Sequence, residues 1–162
     1  MQAIERYLVE TADKGKNTAD SVKALVKFND KYLIVRRAYG LPGQGCWDLP
    51  GGQVKSDETP EKAVEREVME ETSLFIKNVK ASSTVEVAPP HCTKTYNTAF
   101  FTCDAKDDGV YLRTSPTNRD AFAYWKSPKP EHCEFKWVKY KTDMKELPML
   151  PELKEILMKK LK

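Results

Sequence analysis

The chain has 162 residues, a mass of 18.5 kDa and an apolar fraction of 40%, which suits one globular domain over 1–162 and leaves little room for a second. Charged residues make up 31% but nearly cancel, and a formal net charge of +3 gives mild attraction to phosphate groups without the basic surface expected of a DNA-binding protein. Cys46, Cys92, Cys103 and Cys133 form no C-x-x-C pair, so free thiols in a reducing cytosol are expected.

At the amino terminus, MQAIERYLVETADKGKN carries charges where a signal peptide has its apolar run, and no stretch reaches the length of a membrane span. A soluble, cytoplasmic protein with no membrane partner is the expectation. Residues 21–37, SVKALVKFNDKYLIVRR, alternate aliphatic and polar positions on either side of Asn29-Asp30, a turn-forming dipeptide, and predict a hairpin. The loop AYGLPGQGC follows, rich in glycine, and a short segment Trp47-Asp48-Leu49 runs into Pro50-Gly51-Gly52, a backbone able to approach a ligand closely.

Thr59 is then a fitting N-cap, Pro60 is suited to the first helical position, and EKAVEREVMEET is built of helix formers, so a helix is predicted over 60–72. Strands are predicted near 83–88, 95–105 and 134–140 from β-branched and aromatic content, and the prolines at 116, 128 and 130 bracket an irregular loop. The closing segment PELKEILMKKLK spaces Leu153, Ile156, Leu157 and Leu161 helically; docking on a sheet is preferred to a membrane-surface or partner helix. Mixed strands with a few helices predict an α/β sandwich. His91-Cys92 and His132-Cys133 offer four zinc ligands on paper, but neighbours on a strand point apart, which favours ordinary thiols.

At 100° per residue, Glu67, Glu70 and Glu71 share an arc of about 100° on the predicted helix, with Ala63 inside it and Val64 and Val68 at its edge. Taken alone, such a run is a solvated acidic face. Half buried, its like-charge pairs repel strongly and call for a cation; Arg66 can answer Glu70 at i, i+4, and a hard divalent ion bound by several oxygens can answer the rest. The preceding glycine turn and Glu58 gather further oxygens near the same place.

Residues 52–74, GQVKSDETPEKAVEREVMEETSL, resemble the Nudix box: a glycine, five residues, a glutamate, seven residues, then Arg-Glu-aliphatic-x-Glu-Glu, filled here by Gly52, Glu58, Arg66, Glu67, Val68, Glu70 and Glu71. One position departs, because the family's glycine after the acidic pair is Ser73, which bears on loop geometry and removes no ligand. The resemblance implies an α/β/α sandwich with a mixed central sheet and a hydrolase that cleaves a pyrophosphate bond with two or three magnesium ions, manganese being the substitute. It implies that Glu67, Glu70, Glu71 and the Gly51 carbonyl hold metal, that Arg66 orients a glutamate and that Glu58 supports the loop. It further implies a general base either on the box helix or on a later acidic loop, where Glu131 leads and Glu134 is the rival.

The phrase RRAYGLPGQGCWDLPGG is similar to Nudix proteins acting on ADP-ribose and related dinucleotides, so Arg36, Arg37 and Gly52 are candidate substrate contacts, and Tyr39, Tyr96 and Trp125 are candidates for stacking on a base. The partner expected is a small nucleotide: ADP-ribose, a dinucleotide or a nucleotide sugar. Removal of pyrophosphate from nucleoside triphosphates or from an RNA 5′ end is the alternative within this chemistry, and no dense basic patch favours RNA. A non-catalytic nucleotide sensor is the alternative of another class. By family analogy a homodimer involving the first twenty residues is also in view.

Overall fold

The structure, a computed structural model, describes residues 19–38, 40–41, 43–88, 94–112 and 131–162. The expectations for Tyr39, His91-Cys92, Trp125, the prolines at 116, 128 and 130, and the dimerising role of residues 1–18 lie outside them. Seven strands form one sheet: β1 (Ser21–Phe28), β2 (Lys31–Arg37), β3 (Trp47–Asp48), β4 (Gly51–Gln53), β5 (Ile76–Val87), β6 (Tyr96–Ala105) and β7 (His132–Val138). Among the described residues the helices are α1 (Pro60–Thr72) and α2 (Pro151–Met158), with a short 3-10 turn at Lys141–Met144.

The predicted hairpin is present, and Asn29 and Asp30 both take left-handed φ values, 47° and 63°, which gives the turn the twist of the strands it joins. Strand β1 organises the sheet. It pairs in parallel with β6 from Ser21 to Lys27, while its other edge meets β4 at Ser21–Lys23 and β2 at Lys27–Phe28. β2 splays from β1, pairs with β3 through Val35 and Arg36, and carries β7 on its far side. One parallel pair among antiparallel ones makes the sheet mixed, as expected.

The two-residue period of these strands sorts the core into two layers. Val22, Ala24 and Val26 of β1, Leu33 and Val35 of β2, and Ala99, Phe101 and Cys103 of β6 meet Ala63, Val64 and Val68 of α1. Leu25, Ile34 and Phe100 face the other way, onto Met144, Leu153, Leu157 and Leu161. The terminal segment thus docks on the sheet through the leucines that its spacing singled out, and a helix lies on each face of the sandwich.

Helix α1 has the predicted bounds: Thr59 Oγ1 accepts from the Lys62 amide at 3.3 Å and Pro60 sits at the first turn. Its end is the αL turn of Ser73, φ 63°, whose amide donates to the Met69 carbonyl at 2.9 Å. β5 begins at Ile76, seven residues before the predicted 83, because its first half is an exposed, polar edge strand with two bulges and shows no apolar alternation. β4, read in the sequence only as a glycine turn, is a true strand segment against β1. No helix among the described residues is long and apolar enough to cross a membrane.

Candidate active site

Glu67 and Glu70 of α1 are aimed by a single guanidinium. Arg66 grips Glu58 with two hydrogen bonds, Nε to Oε2 at 3.0 Å and Nη2 to Oε1 at 2.6 Å, and Nη2 also donates to the Gln53 carbonyl at 3.1 Å. From Nη1 it reaches Glu67 at 2.9 Å and Glu70 at 3.2 Å. Glu58 in turn accepts from the Lys55 amide at 2.9 Å, closing the loop that leads from β4 into α1. Arg66 hydrogen bonding holds the Glu58 carboxyl below its ordinary range, and Glu58 pushes the guanidinium further above its own. A planar fork is needed for this geometry; a lysine has no equivalent.

Both glycines of the PGG turn are in contact with this cluster or with the strand beneath it. A Cβ on Gly52 would stand 2.6 Å from the carboxylate carbon and one oxygen of Glu67, so the missing side chain is the space in which Glu67 lies. Gly51 presses on the β1 backbone, where a Cβ would collide with the Val22 carbonyl oxygen and stand 2.9 Å from the Lys23 Cα. The Gly51 amide donates to Glu71 Oε2 at 3.1 Å.

Glu71 is buried, 3% exposed. Burial first, then the neighbouring charges of Glu67 and Glu131, push its carboxyl well above the usual range; Lys23 and the Gly51 amide only partly offset this. Glu67 is raised as well, chiefly by desolvation, against the pull of Arg66. Arg66 is divided among three carboxylates, and Lys23, which partly offsets the charge around Glu71, gives its ammonium to Asp48 at 2.8 Å and to the Leu49 carbonyl at 3.2 Å. One buried and one partly buried carboxylate held out of their ordinary ionisation in this way fit a divalent cation, which would neutralise both.

The later loop enters at the same place. The Ala38 amide donates to the Glu131 carbonyl at 2.8 Å, tying the start of β7 to the end of β2. Donor atoms of Glu71, Glu131 and His132 all lie within 4.8 Å of one another. Glu134, the rival base, is turned aside onto Arg36 at 3.3 Å, and Arg36 Nε also donates to the Gly45 carbonyl at 3.2 Å. Arg37 stands opposite His132 across the β2–β7 ladder and adds positive potential there. Gly52 and Arg66 stand with the glutamates, Arg36 stands at the rim with Glu134, and the Tyr96 ring lies under Lys94 at 5.3 Å.

Lys23 and His132 were not singled out as parts of the site from the sequence. Lys23 left a signal, a cation between Val22 and Ala24 of β1, shared with Lys27 further along the strand; His132 left only its place beside Glu131. His132 is buried and Cys133 exposed, so this pair points apart as expected for strand neighbours, and Cys46, Cys103 and Cys133 are free.

The family model described as NUDIX domain matches residues 18–159. Among curated proteins, an ADP-ribose pyrophosphatase of Methanocaldococcus jannaschii is 42% identical over 59 residues, 36% of this chain and 34% of that protein. A MutT-like protein of Streptomyces ambofaciens is 43% identical over 53 residues, 33% of this chain and 32% of that one. The chain therefore aligns with only about a third of the length of these relatives. Among solved structures, the NUDIX domain of Shewanella oneidensis NrtR complexed with ADP ribose superposes with a TM-score of 0.62 at 19% identity, over 94% of each chain, a likeness of fold.

Proposed function

The chain belongs to the Nudix family, and on that premise we propose that it is a magnesium-dependent hydrolase that cleaves the pyrophosphate bond of a nucleoside diphosphate linked to a second moiety. ADP-ribose, a dinucleotide or a nucleotide sugar is the substrate class, with manganese as the substitute ion. The observation that carries this reading is the packing of one face of α1 on the Gly51-Gly52 turn, with Glu67 against Gly52, Glu71 beneath the Gly51 amide and Glu70 held beside them by Arg66.

In this reading Glu67, Glu70, Glu71 and the Gly51 carbonyl hold the metal, and Arg66 keeps Glu67 and Glu70 aimed while anchored on Glu58. Bound divalent cations supply positive charge to the diphosphate oxygens and acidify the attacking water. Glu131, held next to Glu71, takes the proton of that water as its oxygen bonds to phosphorus and the bridging P–O bond breaks. No covalent intermediate on the protein is required. Arg36 and Arg37, at the end of β2, and the Gly52 backbone face the substrate's phosphates. The name of the archaeal relative, aligned over about a third of each chain, supports ADP-ribose as the first compound to try.

The test is a panel of ADP-ribose, dinucleotides, nucleotide sugars, nucleoside triphosphates and RNA with a 5′ pyrophosphate, each incubated with protein and Mg2+ and analysed by mass spectrometry. Two monophosphate products from a member of the first three classes, with no turnover in chelator, is the expected result. Pyrophosphate release from triphosphates alone would move the function to that class, and no turnover of any member would leave a binding protein.

A further inference from the structure

Lys23 is a charged residue in an apolar setting. It lies between Val22 and Ala24 of β1, both fully buried, and its own side chain is only 17% exposed. Its ammonium stands 2.8 Å from each carboxylate oxygen of Asp48, itself 18% exposed, and donates to the Leu49 carbonyl at 3.2 Å. Taking two such charges out of water costs more than packing an apolar pair of the same size, so packing alone does not call for a lysine there.

The turn from β3 into β4 supplies a reason. Its two linking residues have no amide to offer β1, because the Leu49 amide is taken by Asp48 Oδ1 at 2.7 Å and Pro50 has none. Carbonyls remain, so the donors have to come from β1. The Ala24 amide meets the Pro50 carbonyl at 2.8 Å, and the Lys23 ammonium meets the Leu49 carbonyl. Lys23 also stands opposite Gly51 in the β1–β4 ladder, where a Cβ on Gly51 would come within 2.9 Å of the Lys23 Cα. One residue therefore fixes the turn at both ends, by its side chain at Asp48 and Leu49 and by its backbone at Gly51.

We propose that Lys23 is a positioning residue for the metal site: by its ion pair with Asp48 and its bond to Leu49 it holds the Gly51 peptide, whose amide aims Glu71 and whose carbonyl faces the ion. The inference rests on the reading of Glu71 and the Gly51 carbonyl as metal ligands and goes beyond it by tracing their placement to a residue of β1 outside the box. Arg66 holds Glu67 and Glu70, whereas Glu71 is held from the turn, by the Gly51 amide at 3.1 Å. A shift of the turn by about 0.5 Å takes that bond out of hydrogen-bonding range.

The experiment compares the full wild-type chain with Asp48→Asn and with the double variant Lys23→Met/Asp48→Asn. Asparagine keeps an oxygen for the Leu49 amide, and methionine removes the cation without leaving a buried carboxylate unpaired. The first measurement is amide hydrogen exchange by NMR in the metal-free chain, with Gly51 read against Phe100 and Phe101 of the core strand β6, which report global opening. Relative to them, Gly51 is expected to exchange about tenfold faster in the double variant and about threefold faster in Asp48→Asn. The second is Mn2+ binding by electron paramagnetic resonance, where the dissociation constant of the double variant is expected to rise about tenfold. Equal acceleration of Gly51 and the β6 amides marks a general loss of stability and overturns the proposal. So does a Gly51 rate unchanged in the double variant or, should that variant not fold, in Asp48→Asn. The two readings separate cleanly. A Gly51 response in a chain whose wild type binds no Mn2+ removes the metal assignment and leaves the anchoring of the turn; equal Mn2+ affinity in all three proteins keeps the assignment and overturns the role of Lys23.

Discussion

Gly51 and Gly52 are adjacent, and the side chain is missing from each for a different reason. An alanine at 52 meets the movable end of Glu67, whereas one at 51 meets the backbone of Val22 and Lys23. Gly52→Ala is therefore expected to lower turnover by tenfold or more with little change in melting temperature, and Gly51→Ala to cost about 2–4 kcal/mol of stability. Thermal denaturation beside steady-state kinetics checks both. The raised carboxyls of Glu71 and Glu67 give a pH prediction. Groups whose pKa is higher in the folded chain bind more protons there, so the stability they confer is full at low pH and is lost as pH rises through their folded-state range. A divalent ion replaces those protons, so the rise in melting temperature on adding Mg2+ is expected to be greater at about pH 8 than at about pH 5. Glu67, Glu70, Glu71, Arg66 and Glu58 were legible in the sequence because one helix and its entry loop fix their mutual spacing. Glu131 was reached through the family resemblance alone, whereas Lys23 and His132 come from strands far apart in the chain, and their meeting depends on the pairing of β2 with β7 and of β1 with β4, which no local pattern encodes.

Among the elements, α1 is written most plainly, with its cap, its proline and its buried face of Ala63, Val64 and Val68 all visible in the sequence. Its ending is less ordinary. Ser73 occupies the left-handed turn where glycine is at ease, and its hydroxyl donates to the Tyr111 carbonyl at 3.1 Å. Ser73→Val should lose about 1–2 kcal/mol, since a β-branched residue is strained there, while Ser73→Gly should stay within about 1 kcal/mol of the parent. Chemical denaturation of the pair measures this. The first half of β5 was hidden in the sequence by its exposed polar residues, and β4 by the reading of Gly51-Gly52 as a turn, since glycines carry no strand pattern.

At the scale of the whole molecule, the sheet separates the chemistry from one of its two cores. The layer of α1 carries the glutamates, and the layer of α2 packs apolar side chains around Leu153 and Leu157, both fully buried. Leu157→Ala is expected to cost about 2–4 kcal/mol and to leave turnover at ambient temperature within about twofold, because the cavity opens on the face away from Glu67 and Glu71. The account stands or falls on the carboxylates of α1 acting on a pyrophosphate. Its most direct test is the turnover number of Glu67→Gln beside the wild type, with saturating Mg2+ and the fastest substrate of the panel. A fall of roughly two to three orders of magnitude in a variant that keeps the parent's circular dichroism is the predicted result. Turnover within about threefold of the wild type would contradict it.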